Sequence, residues 1–316
     1  MAKYSRIEWT DATWSPVTGC TPISEGCENC YARRMAKRLA GRCGYPAVDP
    51  FRATIHPERL DEPFRWKKPR RVFVCSMSDL FHEDVPYEFI YDIWDVMVKN
   101  RQHTFLILSK RPDRMQSFIE RVMVNRMDYA YMLGNTPEGK EARKWALKPV
   151  QNVWLGVTAE NQQRADERIP ILLEIPAAVR FVSVEPMLGL VDLTGIRFDR
   201  NTIMNVLEGC GINRLSPCQS IPNAFCEKIN WVICGGETGP GARPMHPDWV
   251  RSLRDQCQDS GVPFFFKQWG EFEYLRQGAK NGDGKIVAHK VGKKRAGRLL
   301  DGREWNEMPE VGVHND

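Results

Sequence analysis

The sequence lacks any run of about eighteen apolar residues, the length that a bilayer-spanning helix requires. Its first residues, MAKYSRIEWTD, also lack the apolar core of a secretory signal. We therefore expect no membrane association and a cytoplasmic location. The ten cysteines should then remain reduced. In a reducing compartment, clustered thiols indicate a metal site or catalysis more often than disulfides.

A strong excess of one charge is also missing. The formal net charge is +5 and the isoelectric point is about 8.6, a bias too small to indicate a DNA-binding protein by itself. The basic residues are nonetheless grouped, and the groups either contact nucleic-acid phosphates or are ordinary solvated surfaces. They form three clusters, at Arg33, Arg34, Lys37 and Arg38, at Lys67, Lys68, Arg70 and Arg71, and at Lys290, Lys293, Lys294, Arg295 and Arg298.

No segment repeats at a fixed period, but short β-type runs alternate with helical patterns. The alternation predicts an α/β fold with a parallel sheet, in the form of a partial (βα)6-type barrel, with a flavodoxin-like sheet as the alternative. We assign residues 1–270 to the barrel, with an irregular insertion at about 186–229, and residues 271–316 to a basic C-terminal extension. The predicted strands are 72–77, 104–109, 152–158, 180–185, 230–236 and 263–269, and the predicted helices include 87–100, 114–123, 161–175 and 247–261.

Polar or charged residues lie on or just beyond the carboxyl ends of the predicted strands. In a βα barrel the βα loops meet at this end, which is where such barrels carry their chemistry. Any one of these residues alone is more readily explained as a surface cap than as a ligand contact. Together they predict a site at this end, with Ser76, Ser78, Lys110, Thr158, Glu160, Glu185, Glu237 and Lys267 as candidates.

The segment GCTPISEGCENCYARR, residues 19–34, places Cys20, Cys27 and Cys30 in a C-x6-C-x2-C pattern. Three thiolates are one ligand short of a structural zinc site, and Cys43 is the candidate for the fourth. An iron–sulfur cluster is the other interpretation, because three cysteines can hold three of its irons and leave the fourth open to a substrate or cofactor. The pattern alone leaves both interpretations open.

Four later cysteines recur at intervals of eight residues. This spacing matches no usual zinc or cluster loop, in which ligands come as close pairs. Cys234 lies in an apolar run and is predicted to be a core residue, as is Cys75. Cys210, Cys218 and Cys226 are the candidates for a second metal site.

A three-cysteine loop after the first strand of a partial α/β barrel, with the aromatic Tyr31 beside the last cysteine, resembles the radical S-adenosylmethionine (SAM) superfamily. The first gap is six residues rather than the common three, so the chain resembles a divergent branch. More closely, it is similar to a phage- and prophage-associated domain-of-unknown-function family linked with a three-Cys-motif partner protein. That similarity rests on the ordered segments WSPVTGC, CENCYA, VFVCSMSDLF, LSKRP, LGVTAEN, SVEPM, CGGETGPGARPM and FFFKQWGE.

The resemblance implies that Cys20, Cys27 and Cys30 bind a [4Fe–4S] cluster and that S-adenosyl-L-methionine chelates its fourth iron. One-electron reduction, by a donor such as flavodoxin or ferredoxin, would cleave this cofactor to methionine and a 5′-deoxyadenosyl radical that removes a hydrogen from the substrate. The implied cofactor-binding residues are Ser76, Ser78 and Lys110 at the methionine end, and Thr158, Glu160 and Glu185 are implied at the ribose or the substrate. Lys110 and Glu185 are the candidate catalytic residues.

Two classes of function follow. The first is a radical SAM enzyme acting on a nucleobase, a nucleotide or a nucleic acid. The second is a non-enzymatic nucleic-acid-binding protein in which a zinc or iron–sulfur knot is structural. The metal bound by the cysteine loop distinguishes them, because only an open iron could carry the radical chemistry.

Overall fold

The computed structural model describes residues 5, 7–213, 220–221, 227–276 and 286–310. In these ranges the strands are β1 (Ala12–Trp14), β2 (Val17–Thr18), β3 (Thr54–Ile55), β4 (Arg71–Val74), β5 (Thr104–Ser109), β6 (Val153–Thr158), β7 (Arg180–Val184), β8 (Ile196–Arg197), β9 (Thr202–Asn205), β10 (Cys210–Asn213), β11 (Ser220–Ile221), β12 (Trp231–Gly235), β13 (Phe264–Gln268), β14 (Phe272–Arg276) and β15 (Ile286–Lys290).

The α-helices follow the same chain order. They are α1 (Tyr31–Leu39), α2 (Tyr87–Lys99), α3 (Pro112–Met132), α4 (Pro137–Ala146), α5 (Gln162–Glu174), α6 (Pro247–Asp259) and α7 (Lys293–Ala296). None of the described helices is both long enough and apolar enough to cross a bilayer.

Seven strands form one sheet in the order β1-β4-β5-β6-β7-β12-β13. The spatial order follows the chain order, as it does in a βα barrel, and the strand pairs β1–β4, β4–β5, β5–β6, β7–β12 and β12–β13 are all parallel. Among the described strands, β1 and β13 are the two edges, so the sheet is open. The predicted mixed α/β fold with a parallel sheet is confirmed.

The chain divides into two compact units. The first comprises residues 1–21, 32–157 and 170–180, and the second comprises residues 22–31, 158–169 and 181–316. The first unit contains β1, β4 and β5 with α2 and α3, and the second contains β12 and β13 with α6. The cysteine segment is divided between Thr21 and Pro22, so Cys20 belongs to the first unit and Cys27 and Cys30 belong to the second.

Each unit has its own apolar core. In the first, Phe118 of α3 is fully buried, and its ring packs against Phe81 and Trp94. In the second, the buried rings of Phe181 and Trp231 lie against each other on β7 and β12. The apolar runs of these strands are buried because helices and neighbouring strands cover them, which is typical of parallel sheets.

The predicted strands match the observed ones closely except at β4. The sequence predicts a strand over 72–77, whereas β4 ends at Val74. Cys75 has a left-handed backbone with φ of 57°, which a strand cannot accommodate. The observed strand therefore ends three residues earlier than predicted, and this part of the prediction is wrong.

The segments outside the alternating pattern have structure of their own. The predicted insertion contains a small antiparallel sheet in the order β11-β10-β9-β8. In the C-terminal extension, β14 and β15 form an antiparallel pair. Leu300 and Trp305 are buried in the second unit, and the backbone N–H of Phe266 donates to the carbonyl of Trp305.

Candidate functional site at the strand ends

The second unit holds residues 22–31 at the carboxyl ends of β6 and β12. The Ser24 hydroxyl donates to Glu160 Oε1 at 2.6 Å, and Asn29 Nδ2 donates to Glu237 Oε2 at 3.0 Å. Glu160 and Glu237 each stand two residues beyond a strand. The loop that carries Cys27 and Cys30 is therefore tied to two residues of the strand ends at which the sequence predicts a site.

Arginines fix the acidic residues of this loop. Arg164 Nη2 lies 2.9 Å from Glu25 Oε2. Burial would raise the pKa of Glu25, but hydrogen bonding, above all to Arg164, lowers it to about 2. Arg243 contacts Glu28 Oε2 through Nη1 at 2.9 Å and Glu237 Oε1 through Nη2 at 2.7 Å. Both ends of the loop are thus tied to arginines of the same unit.

Glu160 connects the loop to the interior of the second unit. Its side chain is fully buried, with Oε1 accepting from Ser24 and Oε2 accepting from Arg168 Nη1 at 2.8 Å. Gly26 passes so close that a Cβ at this position would lie 2.3 Å from Glu160 Oε1. Only glycine permits this approach, which explains the residue that precedes Cys27.

Cys27 and Cys30 carry reduced thiols, and both are half-buried. The Sγ of Cys27 lies 3.8 Å from the Ser24 hydroxyl, and the backbone N–H of Cys30 donates to the carbonyl of Cys27 at 3.4 Å. Ser24 therefore contacts both the buried carboxylate of Glu160 and one of the thiols.

In the first unit, Cys20 is also reduced and half-buried. Two buried histidines hold the threonines around it. The Thr18 hydroxyl lies 2.7 Å from His56 Nε2, and the Thr21 hydroxyl lies 2.9 Å from His82 Nε2. The backbone at Cys20 is therefore held from both sides.

Arg111 contacts Cys20 from the first turn after β5. Its Nη1 donates to Cys20 Sγ at 3.4 Å and lies 3.3 Å from Asp79 Oδ2, and its Nε donates to Glu83 Oε1 at 3.0 Å. Burial would lower the pKa of Arg111, but the charge of Asp79 and hydrogen bonds to Glu83 and Cys20 raise it above its ordinary value. A cationic donor therefore faces the sulfur.

The buried histidines of the first unit predict a loss of stability in mild acid. Burial lowers the pKa values of His56, His82 and His103 below their ordinary 6.5. The unfolded chain therefore binds more protons than the folded chain as the pH falls through about 6.5. We expect the urea concentration at the midpoint of unfolding to decrease when the pH is lowered from 7.5 to 5.5. This pH range lies above the range in which carboxylates titrate.

Two histidine variants control this prediction. His103→Gln removes one buried group and should reduce the pH dependence, whereas His246→Gln removes a side chain that is 42% exposed and should preserve it. Equal midpoints at the two pH values for the natural sequence would contradict the prediction.

The structure assigns several predicted residues to contacts within the protein. The Ser78 hydroxyl donates to the carbonyl of Val17 at 2.7 Å. The backbone N–H of Lys110 donates to Asp79 Oδ2 at 3.0 Å, and its side chain is half-buried, as is Ser76. Ser78 thus joins β2 to the turn after β4.

The remaining predicted residues lie in the second unit. Thr158 is buried and its carbonyl accepts from Arg168. Glu185 forms an ion pair with Lys267, with Nζ 2.7 Å from Oε1 and side chains 20% and 17% exposed. A Cβ on Gly235 would lie 3.2 Å from the Glu185 carboxyl carbon. The structure therefore brings together the polar ends of β7 and β13 over a glycine of β12.

The described side chains that could bind a metal do not converge on one point. Among the described residues, no group of three or more His, Cys, Asp or Glu side chains lies close enough to share one metal ion. A zinc site requires its thiolates about 2.3 Å from one ion, and the described cysteines, including Cys43, are not arranged in that way. A cubane cluster binds each cysteine through a different iron. Cysteine thiolates are donors in both kinds of site.

The other cysteines differ in environment. Cys75 and Cys234 are buried, and burial raises the pKa of Cys75 to about 12, so their prediction as core residues is confirmed. Cys210 is exposed and its thiol lies 3.6 Å from Glu208 Oε2. Cys218 and Cys226 lie outside the described residues, so the second metal site stays a prediction.

The sequence analysis missed several residues that shape the site. Asp79 and Arg111 follow β4 and β5 within a few residues, and Arg243 follows β12. The rule that selected Lys110 and Glu160, a polar residue beyond a strand end, would also have found Asp79 and Arg111. Asn29 and Arg168 gave no such signal, because neither stands at a strand end.

Comparison with known proteins gives a family but no reaction. A family model described as "Protein of unknown function (DUF5131)" matches residues 4–309 of the chain. No curated protein matches the chain, and no solved structure does. The match agrees with the predicted resemblance to a domain-of-unknown-function family.

Proposed function

Because the chain belongs to the DUF5131 family of proteins of unknown function, we propose its function from the cysteine loop itself. Cys20, Cys27 and Cys30 hold a [4Fe–4S] cluster, and the chain is a radical SAM enzyme. The zinc knot of a non-enzymatic protein receives no support from the described cysteines, which do not converge on one ion.

One observation carries the proposal. The loop with Cys27 and Cys30 is tied to the carboxyl ends of parallel strands by Glu160 and Glu237. In βα barrels this end carries catalytic groups. A loop whose only role was to brace the fold would not need half-buried thiols next to a serine that contacts both Cys27 and the buried carboxylate of Glu160. The finer assignment, a partial barrel of the radical SAM kind, is part of this proposal.

The bound cofactors would supply a carbon-centred radical by one-electron reduction of S-adenosyl-L-methionine. The protein's own residues hold and orient the parts. Ser24 and Glu160 fix the loop, and both oxygens of Glu160 are engaged within the protein. We therefore reassign Glu160 from ribose contact to support of the loop.

Ser76 and Lys110 keep their proposed cofactor-binding roles, and Glu185 keeps its proposed place at the substrate. Ser76 and Lys110 are half-buried beyond β4 and β5 and are proposed to contact the methionine end of the cofactor. Glu185 is partly accessible and salt-bridged to Lys267, and the pair is proposed to orient the substrate by charge. Thr158 and Ser78 are proposed to support the fold around the site rather than to contact the cofactor, because Thr158 is buried and the Ser78 hydroxyl donates to the carbonyl of Val17.

The proposed substrate class is a nucleobase, nucleotide or nucleic acid. Supporting it, the first turn of α1 carries no acidic residue and its last turn contains Lys37 and Arg38, while α7 consists of Lys293, Lys294, Arg295 and Ala296. Such basic groups attract phosphates, and their contacts weaken as salt is added. A flavodoxin- or ferredoxin-type donor and a three-Cys-motif partner protein are further predictions.

The test is anaerobic purification followed by two assays. We expect iron and sulfide in the protein, and methionine plus 5′-deoxyadenosine when a strong reductant and S-adenosyl-L-methionine are added. A colourless zinc protein would contradict the proposal. A second assay measures binding of single-stranded DNA and RNA at rising salt. Binding no tighter than that of a neutral control protein would restrict the substrate to small molecules.

A further inference from the structure

We infer that Arg111 is a positioning residue for Cys20: its guanidinium donates to the sulfur, orients it for iron and raises the reduction potential of the cluster. The inference rests on the proposed function. It adds a residue to which neither the cysteine pattern nor the family match gives a role.

The contact is direct and lies within the first unit. Arg111 Nη1 is 3.4 Å from Cys20 Sγ. The next residue is held as well, because Nη2 donates to the carbonyl and the hydroxyl of Thr21 at 3.2 and 3.0 Å. One guanidinium therefore contacts both the thiol and the backbone that follows it. Arginine suits this role because its planar fork presents five fixed donors.

Arg111 is itself held in place. Its side chain is 6% exposed, so it does not sample other positions as a surface arginine would. Asp79, also 6% exposed, accepts from Ser109 Oγ at 2.8 Å and from the backbone N–H of Lys110 at 3.0 Å. Glu83 accepts from Nε. The two carboxylates orient the guanidinium. Nη1, which donates one hydrogen bond to Asp79, donates the other to the sulfur of Cys20.

The chemistry follows from the state of the ligand. As a thiol, Cys20 donates to the carbonyl of Thr21 at 3.4 Å. As an iron ligand it is a thiolate with no proton to donate, and its sulfur can only accept. A cationic N–H donor at that sulfur stabilises negative charge. Since reduction adds an electron to the cluster, such a donor favours the reduced form, and hydrogen bonds to sulfur are a known determinant of cluster potential.

The experiment compares Arg111→Gln and Arg111→Lys with Arg180→Gln. Arg180 is a matched control, because it is equally buried but donates to the carbonyl of Ile175 rather than to a cysteine. Each protein is purified anaerobically, its iron and sulfide are measured, and the cluster is titrated with reductant by electron paramagnetic resonance.

We expect Arg111→Gln to retain iron but to make reduction at least tenfold less favourable, a fall of about 59 mV for one electron. Arg111→Lys keeps the positive charge and should recover part of the shift, and Arg180→Gln should leave the potential unchanged. An unchanged potential in Arg111→Gln at full iron content would overturn the inference.

A measurement on the natural sequence covers the case in which the variants do not fold. With ¹⁵N introduced only in arginine side chains, pulsed paramagnetic resonance of the reduced cluster should detect coupling to ¹⁵N. The coupling should vanish in Arg111→Lys if that variant folds. Absence of coupling in the natural protein would overturn the inference alone, whereas a natural protein without iron and sulfide overturns the proposed function and this inference with it.

Discussion

Alanine at Cys20, Cys27 or Cys30 is expected to abolish stable iron binding, whereas alanine at Cys43 is expected to leave it intact. A cluster held by three cysteines has no spare protein ligand, so the loss of one removes a whole iron attachment. Cys43 is exposed and has a left-handed backbone. It provides the matched control, because it is the next cysteine in the chain.

Iron and sulfide per chain after anaerobic reconstitution measure the outcome. Far-ultraviolet circular dichroism checks that the variants remain folded. We expect them to fold because the apolar core is formed by the buried strands and helices and not by the cysteine loop. If Cys43→Ala loses metal as completely as the other three variants do, the three-cysteine cluster is excluded and the four-cysteine zinc site takes its place.

Alanine at Glu160 is expected to destabilise the protein by roughly 3–5 kcal/mol, the range for breaking one side of a buried ion pair. Glu160 is fully buried, and its loss leaves the Arg168 guanidinium, 5% exposed, without its carboxylate. It also removes the acceptor of the Ser24 hydroxyl. Urea unfolding of the metal-free protein measures the effect.

Two variants make this prediction sharper. Glu167→Ala removes an acidic residue from the same helical region, but the side chain of Glu167 is 44% exposed. Exposed ion pairs contribute only about 0–1 kcal/mol, so this control should change little. Glu160→Gln with Arg168→Met removes both charges and should recover part of the stability. A Glu160→Ala protein no less stable than Glu167→Ala would show that the pair does not brace the loop.

The elements of the fold were largely readable from the sequence. The observed β5 matches the predicted 104–109 in full, because a buried strand bounded by polar residues leaves an unambiguous local pattern. The end of β4 was misjudged because the residue in the left-handed conformation is a cysteine, which carries none of the sequence signal that glycine would. The short helix α4 was missed because polar residues dominate it and only two of its residues are buried.

In the candidate site, too, some features follow from the local sequence and others only from the tertiary structure. The sequence by itself determined the three thiols and the polar residues at the strand ends, because spacing and strand position are local properties. Only the tertiary structure decided their partners. Arg111 and Cys20 are 91 residues apart in the chain, and Ser24 and Glu160 are 136 apart. No local pattern encodes which donor will meet which acceptor across such separations, since parallel strands bring their carboxyl ends to one edge only after the sheet has formed.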